Sequence, residues 1–168
     1  MDLLVGCGSN PIRKMAWGGR TAWSDLVTID INPSHKPDVV WDLTKRPLPF
    51  EDNTFDEIHA YDVLEHLGRQ GDWRAWFAQV SELWRILKPG GFLIGTVPAF
   101  NSPWAWGDPG HTRVITQGTL LMLSQDLYDA EVGKTNITDY RPFYKADFAP
   151  IGFNETEHSL GFVLQALK

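Results

Sequence analysis

Apolar residues fall along this chain in short unbroken runs, with one long stretch that changes period. Leu3-Leu4-Val5 is cut off by Gly6, Leu26-Val27-Thr28-Ile29 ends at Asp30, and Asp38-Val39-Val40-Trp41 ends at Asp42. Phe55 through Ala60 and Phe92 through Val97 make two more such runs. Short β-branched or aromatic runs bounded by Gly, Pro or Asp predict strands, and strands without alternation belong in a sheet buried on both faces. Between the fourth and fifth runs the spacing becomes helical. Trp73, Trp76, Phe77, Val80, Leu83, Trp84 and Leu87 repeat at i, i+3, i+4 and i+7, which predicts a helix over 72–87 with Asp72 as N-cap. Lys88-Pro89-Gly90-Gly91 stops it. Its aromatic stripe is a packing face and needs no cofactor to explain it.

Thr116 to Tyr128 predicts a second helical segment, with Leu120, Leu121, Leu123 and Leu127 available for burial. Phe148–Glu157 and Phe162–Leu167 predict two strands joined by a turn around Ser159 to Gly161. Alternating strands and helices build a parallel sheet covered on both faces, and the terminal pair adds an antiparallel edge. The expected fold is α/β, a Rossmann-like doubly wound sheet ending in an antiparallel hairpin, with residues 1–168 as a single domain.

Composition narrows the function classes. At 168 residues the chain is long enough to bury a core, and 43% hydrophobic with 21% charged residues is ordinary for a globular domain. The only cysteine, Cys7, excludes an intramolecular disulfide and a cysteine-built metal site. No apolar run approaches a membrane span and none resembles a signal peptide, so the expected compartment is the cytoplasm. The net charge is −6 and basic residues are scattered, which gives no footprint for nucleic acid without excluding a local groove.

The candidate chemistry begins at Gly6-Cys7-Gly8-Ser9-Asn10-Pro11, directly after the first strand. A strand, a glycine turn and a helix start bring backbone N–H groups close to a ligand. Twenty-two positions after Gly8, Asp30 ends the second strand, where a carboxylate can accept from two ribose hydroxyls. A dinucleotide such as NAD fits less well, because its third glycine is replaced here by Pro11 and no Tyr-x-x-x-Lys pair is present.

With these pieces in order, the chain resembles the class I S-adenosylmethionine-dependent methyltransferases over Leu3 to Pro98. The matching stretches are Val5-Gly6-Cys7-Gly8, Thr28-Ile29-Asp30-Ile31-Asn32-Pro33, Asp42-Leu43, Leu48-Pro49-Phe50, Phe55-Asp56-Glu57-Ile58, Val63-Leu64-Glu65-His66-Leu67 and Leu87-Lys88-Pro89-Gly90-Gly91. The resemblance implies a seven-stranded sheet and S-adenosyl-L-methionine as cofactor, with S-adenosyl-L-homocysteine as product. It further implies that Gly6 and Gly8, with Cys7 and Asn10 in the same turn, hold the methionine end. Asp30 would bind the ribose and Ile31 lie on the adenine. Asp42 and the Leu43 backbone would meet the adenine edge, and Tyr61 and Asp62 would border the sulfonium. The competing reading makes Asp30 and Asp42 plain strand-end turn formers.

Leu4 stands where the family often has an acid, and the first strand begins almost at Met1, where the family commonly has covering helices. An open site, a lid from elsewhere, or an oligomer or partner that closes it is therefore expected. Residues 98–115 are the candidate lid, with Trp104, Trp106, Asp108, Pro109, His111 and Arg113; Asp108 to Arg113 resembles a stretch beside the acceptor in some relatives. In the competing reading the tryptophans cover a core edge and His111 caps a helix.

Methyl transfer needs a base only when the acceptor arrives protonated, and His111, His66 and Asp62 are the candidates in that order. No metal triad is apparent. Tyr61-Asp62-Val63-Leu64 is not the motif of base-amino methylation, so the acceptor stays open, a small molecule slightly ahead. A silent cofactor-binding protein or the accessory subunit of a heteromeric methyltransferase is the alternative.

Overall fold

The computed structural model describes residues 1–168. Its strands are β1 (Asp2–Val5), β2 (Leu26–Asp30), β3 (Val39–Val40), β4 (Phe55–Tyr61), β5 (Leu87–Pro98), β6 (Asp147–Glu155) and β7 (Ser159–Leu167). The helices are α1 (Trp73–Ile86), α2 (Pro103–Gly107), α3 (Gln117–Leu121) and α4 (Gln125–Glu131). All seven strands join one sheet in the order β3-β2-β1-β4-β5-β7-β6. β1 pairs in parallel with β2 and β4, and β5 continues in parallel beside β4. β7 runs antiparallel to both β5 and β6. This is the Rossmann-like sheet with an antiparallel C-terminal hairpin that the hydrophobic pattern predicts. The hairpin turns slightly earlier than expected. Thr156 N–H donates to the Ser159 carbonyl at 2.8 Å and its hydroxyl accepts from Ser159 N–H at 3.1 Å, so β7 starts at Ser159.

One face of the sheet carries the apolar core. Leu3, Val5, Ile58, Leu93, Val97, Phe162 and Leu164 meet Trp76, Phe77, Val80 and Leu83 of α1, all buried. Burial of each such side chain is worth about 1.5–3 kcal/mol, which outweighs the modest propensity of a helix this rich in aromatics. Asp72 caps α1, its carboxylate accepting from Ala75 N–H at 3.0 Å. The expected single helix over 116–128 is instead two short ones. Leu123 C=O is taken by Phe148 N–H and by the Tyr144 hydroxyl, both at 3.0 Å, and Met122 C=O by the Tyr128 hydroxyl at 2.7 Å. Carbonyls diverted in this way cannot continue an i→i+4 ladder, and the helix restarts at Gln125.

The other face departs from expectation, because no helix follows the glycine turn. Pro11 and the Gly18-Gly19 pair, both glycines at positive φ, leave too few residues between them for a stable helix. Residues 9–25 run across the sheet as an irregular strap. Beneath it, the register places Asp2 directly opposite Glu57 on adjacent strands. The strap supplies the counter-charges. Arg13 reaches Glu57 at 2.6 Å, and Arg20 reaches Asp2 and Glu57 at 2.6 Å each. His59, fully buried, sits between Glu57 at 2.8 Å and the Tyr61 hydroxyl at 2.7 Å, and that hydroxyl accepts from Met15 N–H. Trp23 packs edge-on against His59.

Two expectations follow. Arg13→Met leaves two buried carboxylates with one guanidinium, and should cost about 3–5 kcal/mol in urea unfolding monitored by circular dichroism. Burial holds His59 below its ordinary range, against the pull of the Glu57 hydrogen bond. The unfolded chain therefore takes up the proton first, so His59's contribution to stability is lost as pH falls below about 6.5. Unfolding midpoints measured from pH 8 to 5 should decline in this range, and His59→Gln should flatten the decline.

Candidate functional site

The parallel strands end together, and the turns that leave β1, β2, β3 and β4 line a cavity of about 450 Å³. Its walls are Gly6, Asp30, Ile31, Asp42, Leu43, Thr44, Asp62, Val63, His66 and Leu67. In an open sheet the ligand crevice lies where connections from neighbouring strands diverge, and here that place is between β1 and β4.

Each turn has a local cause. Gly6 sits at φ +59°, and a Cβ there would stand 2.5 Å from Val63 Cγ2, so only glycine lets the β1 turn meet the β4 turn. Asp30 is buried; its carboxylate accepts from Gly8 N–H at 2.9 Å and Asn32 N–H at 2.8 Å, and His35 Nδ1 lies 3.2 Å away. Burial would raise the Asp30 carboxyl, but the Asn32 and Gly8 N–H groups outweigh it and hold it below the usual range. It is a carboxylate at neutral pH. Asp42 accepts from the Thr44 hydroxyl at 2.7 Å and the Thr44 N–H at 2.9 Å, both on one oxygen, and these bonds hold its carboxyl low as well. Ile31 stands exposed on the rim, while Leu43 is buried. Asp62 follows β4 at φ +58°, a strained position that Asp tolerates better than most residues. Its N–H donates to Thr96 C=O at 2.8 Å and its carboxylate accepts from the Thr96 hydroxyl at 3.0 Å.

Of the residues expected from sequence, Gly6, Asp30, Ile31, Asp42, Leu43, Asp62 and His66 thus share one cavity. Others do not. Tyr61 turns its side chain to the opposite face, where His59 and the strap hold its hydroxyl, so that side chain does not border the cavity. Cys7 packs with Leu4 and Tyr61, Gly8 offers its N–H to Asp30, and Asn10 is exposed. Val63, Thr44 and Leu67 are lining residues that the sequence reading passed over. Val63 was hidden inside an apolar run, and only its approach to Gly6 reveals its part.

The stretch 98–115 is less open than a free lid. Ser102 caps α2, and Phe100, Trp104 and Trp106 are exposed, so the tryptophans cover no core edge. Beyond α2 the chain is fastened down. Thr112 N–H and Arg113 N–H donate to Glu65 C=O at 3.0 and 3.1 Å, and Arg113 donates to the carbonyls of Arg69 and Asp72 over the Trp76 ring. This clamp sets His111 against His66, with ring centroids 4.7 Å apart. His111 Nδ1 donates to Trp104 C=O in α2 at 2.8 Å. His66 lines the cavity and His111 stands behind it. Glu65, 1% exposed, lies beside them with neither carboxylate oxygen hydrogen-bonded. Burial, helped by the charges of Asp62 and Asp108, pushes its carboxyl up to about 7. His111 is remote from Glu65-His66 along the chain, and the fold brings the three side chains together.

Gly6→Ala should cost about 1–3 kcal/mol, from the left-handed backbone and the clash with Val63. Adding Val63→Ala should recover the steric part but not the backbone part, a double-mutant cycle readable by denaturant unfolding.

A family profile described as a methyltransferase domain matches residues 3–95. No curated protein sequence shows a significant match. Among solved structures, an S-adenosylmethionine-dependent methyltransferase from Aquifex aeolicus is 16% identical, with TM-score 0.60 over 99% of this chain and 81% of its own. The N-methyltransferase NodS from Bradyrhizobium japonicum, in complex with S-adenosylhomocysteine, is 13% identical, with TM-score 0.56 over 99% of this chain and 78% of that one. A methyltransferase of Haloferax volcanii in complex with its Trm112 activator is 16% identical, with TM-score 0.53 over 99% and 82%. At these identities the structural matches establish the fold, and the profile covers more than half the sequence. The chain belongs to the S-adenosylmethionine-dependent class I methyltransferase family.

Proposed function

We propose that this chain binds S-adenosylmethionine in the cavity between the β1 and β4 turns and transfers its methyl group to an acceptor, releasing S-adenosylhomocysteine. The observation that carries this reading is the convergence of Gly6, Asp30 and Asp42 on one cavity of suitable size. Asp30, kept ionised by its N–H donors, accepts from the ribose hydroxyls. Ile31 covers the adenine, while Asp42, whose second oxygen is free of Thr44, accepts from the amino group beside the Leu43 backbone. Gly6, the residue of the glycine turn that lines the cavity, meets the methionine end, and Asp62 borders the donor.

The bound cofactor supplies a methyl group on a sulfonium that leaves as a neutral thioether. Alignment is then the chain's main task, and little new charge needs stabilising. Where the attacked atom arrives protonated, Asp62 and His66 are the bases at the cavity, with His111 in the second row. A small-molecule acceptor is favoured, since a net charge of −6 offers a polyanion little. No helix is long and apolar enough to cross a membrane.

One observation favours a second reading. Phe100, Trp104 and Trp106 stand exposed together beside the His111 clamp, an unusual apolar display. The Haloferax relative is in complex with an activator, which makes a silent or partner-dependent subunit the natural alternative.

Thermal-shift titration with S-adenosylmethionine, S-adenosylhomocysteine, sinefungin and NAD tests the cofactor. A ligand at 100 times its dissociation constant should add about 2.7 kcal/mol, raising the melting point by several degrees. The first three should do so and NAD should not, and Asp42→Asn should weaken them roughly tenfold. A folded protein that responds to none of them overturns the proposal. Binding without turnover in an acceptor screen selects the partner-dependent reading.

A further inference from the structure

We propose that Glu65, His66 and His111 form a site for one first-row divalent metal ion, with Asp108 as an outer fourth ligand. One ligand atom from each of the three residues lies within 4.8 Å of those of the other two. The two imidazoles are already set for coordination. His66 donates Nδ1–H to Gly110 C=O at 2.9 Å, and His111 donates Nδ1–H to Trp104 C=O at 2.8 Å. Each ring thereby keeps its proton on Nδ1 and presents the Nε2 lone pair, the arrangement by which backbone carbonyls orient metal-binding histidines.

His111 Nε2 lies 3.9 Å from Glu65 Oε1 and 3.8 Å from Asp108 Oδ2. These gaps are too wide for hydrogen bonds, and they exceed by a few tenths of an ångström the roughly 3.3–3.6 Å between tetrahedral ligand atoms that share one ion, so a small inward turn of the side chains closes the set on a metal. Glu65 supplies the independent sign. Its side chain is 2% exposed, and neither oxygen has a partner. A buried carboxyl without a donor stays ionised at little cost only when a cation meets it. Two imidazoles with one or two carboxylates suit Zn²⁺, Co²⁺, Fe²⁺ or Mn²⁺ better than the all-oxygen preference of Ca²⁺ or Mg²⁺. The clamp of Thr112 and Arg113 on Glu65 C=O holds the set in place before any ion arrives.

The metal site stands without the cofactor reading. One consequence rests on that reading: because His66 also lines the donor cavity, an ion here can bind and acidify an acceptor hydroxyl. The histidines are then ligands; the ion lowers the hydroxyl's pKa, and its proton passes to Asp62 or to water as the oxygen takes the methyl group and the sulfonium leaves as a thioether.

The test is to strip the full-length protein with chelator and titrate it with Co²⁺, followed by competition with Zn²⁺. One equivalent should bind with a visible d–d band that Zn²⁺ abolishes. Glu65→Gln and His111→Asn should each weaken binding at least tenfold while near-UV circular dichroism stays native. Proton NMR of the Co²⁺ form should show two hyperfine-shifted exchangeable signals, one per Nδ1–H, a readout that needs no variant. Folded wild-type protein that takes up no ion, variants that bind as the wild type does, or a Co²⁺ form without those signals would overturn the proposal. The response to S-adenosylhomocysteine is recorded on the same stripped sample, so failure of the metal site and failure of the cofactor site are read separately.

Discussion

β1 is four residues long, and through it the two halves of the parallel sheet meet. Asp2 to Val5 are all buried and pair with β2 on one side and β4 on the other. Connections from β1 lead outward to β2 and β3, while those from β4 lead the opposite way, so no crossover covers the end of β1. The cavity at Gly6 is a consequence of that divergence. Local residues then shape it: Gly6 permits the approach of Val63, Asp30 is kept ionised by two N–H groups, and Asp42 is braced by Thr44.

The two faces of the sheet are held by different physics. On one, α1, α3 and α4 bury apolar residues in a single core. On the other, an irregular strap meets the sheet through arginine–carboxylate pairs and a neutral histidine. The first kind of contact tolerates exchange of similar shapes, whereas the second tolerates no loss of a partner. The segment after β5 is a third case, in which backbone bonds to Glu65 and Arg113's grip on Arg69 and Asp72 turn a loop into a fixed wall.

What the sequence made legible follows from how local each signal is. The five parallel strands and α1 could be read from a few neighbouring residues each, and so could Gly6, Asp30 and Asp42, which stand at strand ends. The split between α3 and α4 could not, because the bonds that cause it come from Phe148 and Tyr144, far along the chain. The direction of Tyr61 was equally hidden, since the strap's Met15 N–H and His59 decide it. His111 was visible as a polar residue in a long loop, but its meeting with Glu65 depends on the clamp.

Asp2 and Glu57 are register partners on adjacent central strands, and both are buried. Two like charges at that spacing repel, so β1 and β4 cannot close in isolation without protonating an acid or admitting water. Arg13 and Arg20 lie on the segment between β1 and β2 and meet both acids at once. The covering of this face is constrained accordingly: residues 9–25 can exclude water from Asp2 and Glu57 only by bringing both arginines with them, so the segment that hides the charges is also the one that neutralises them.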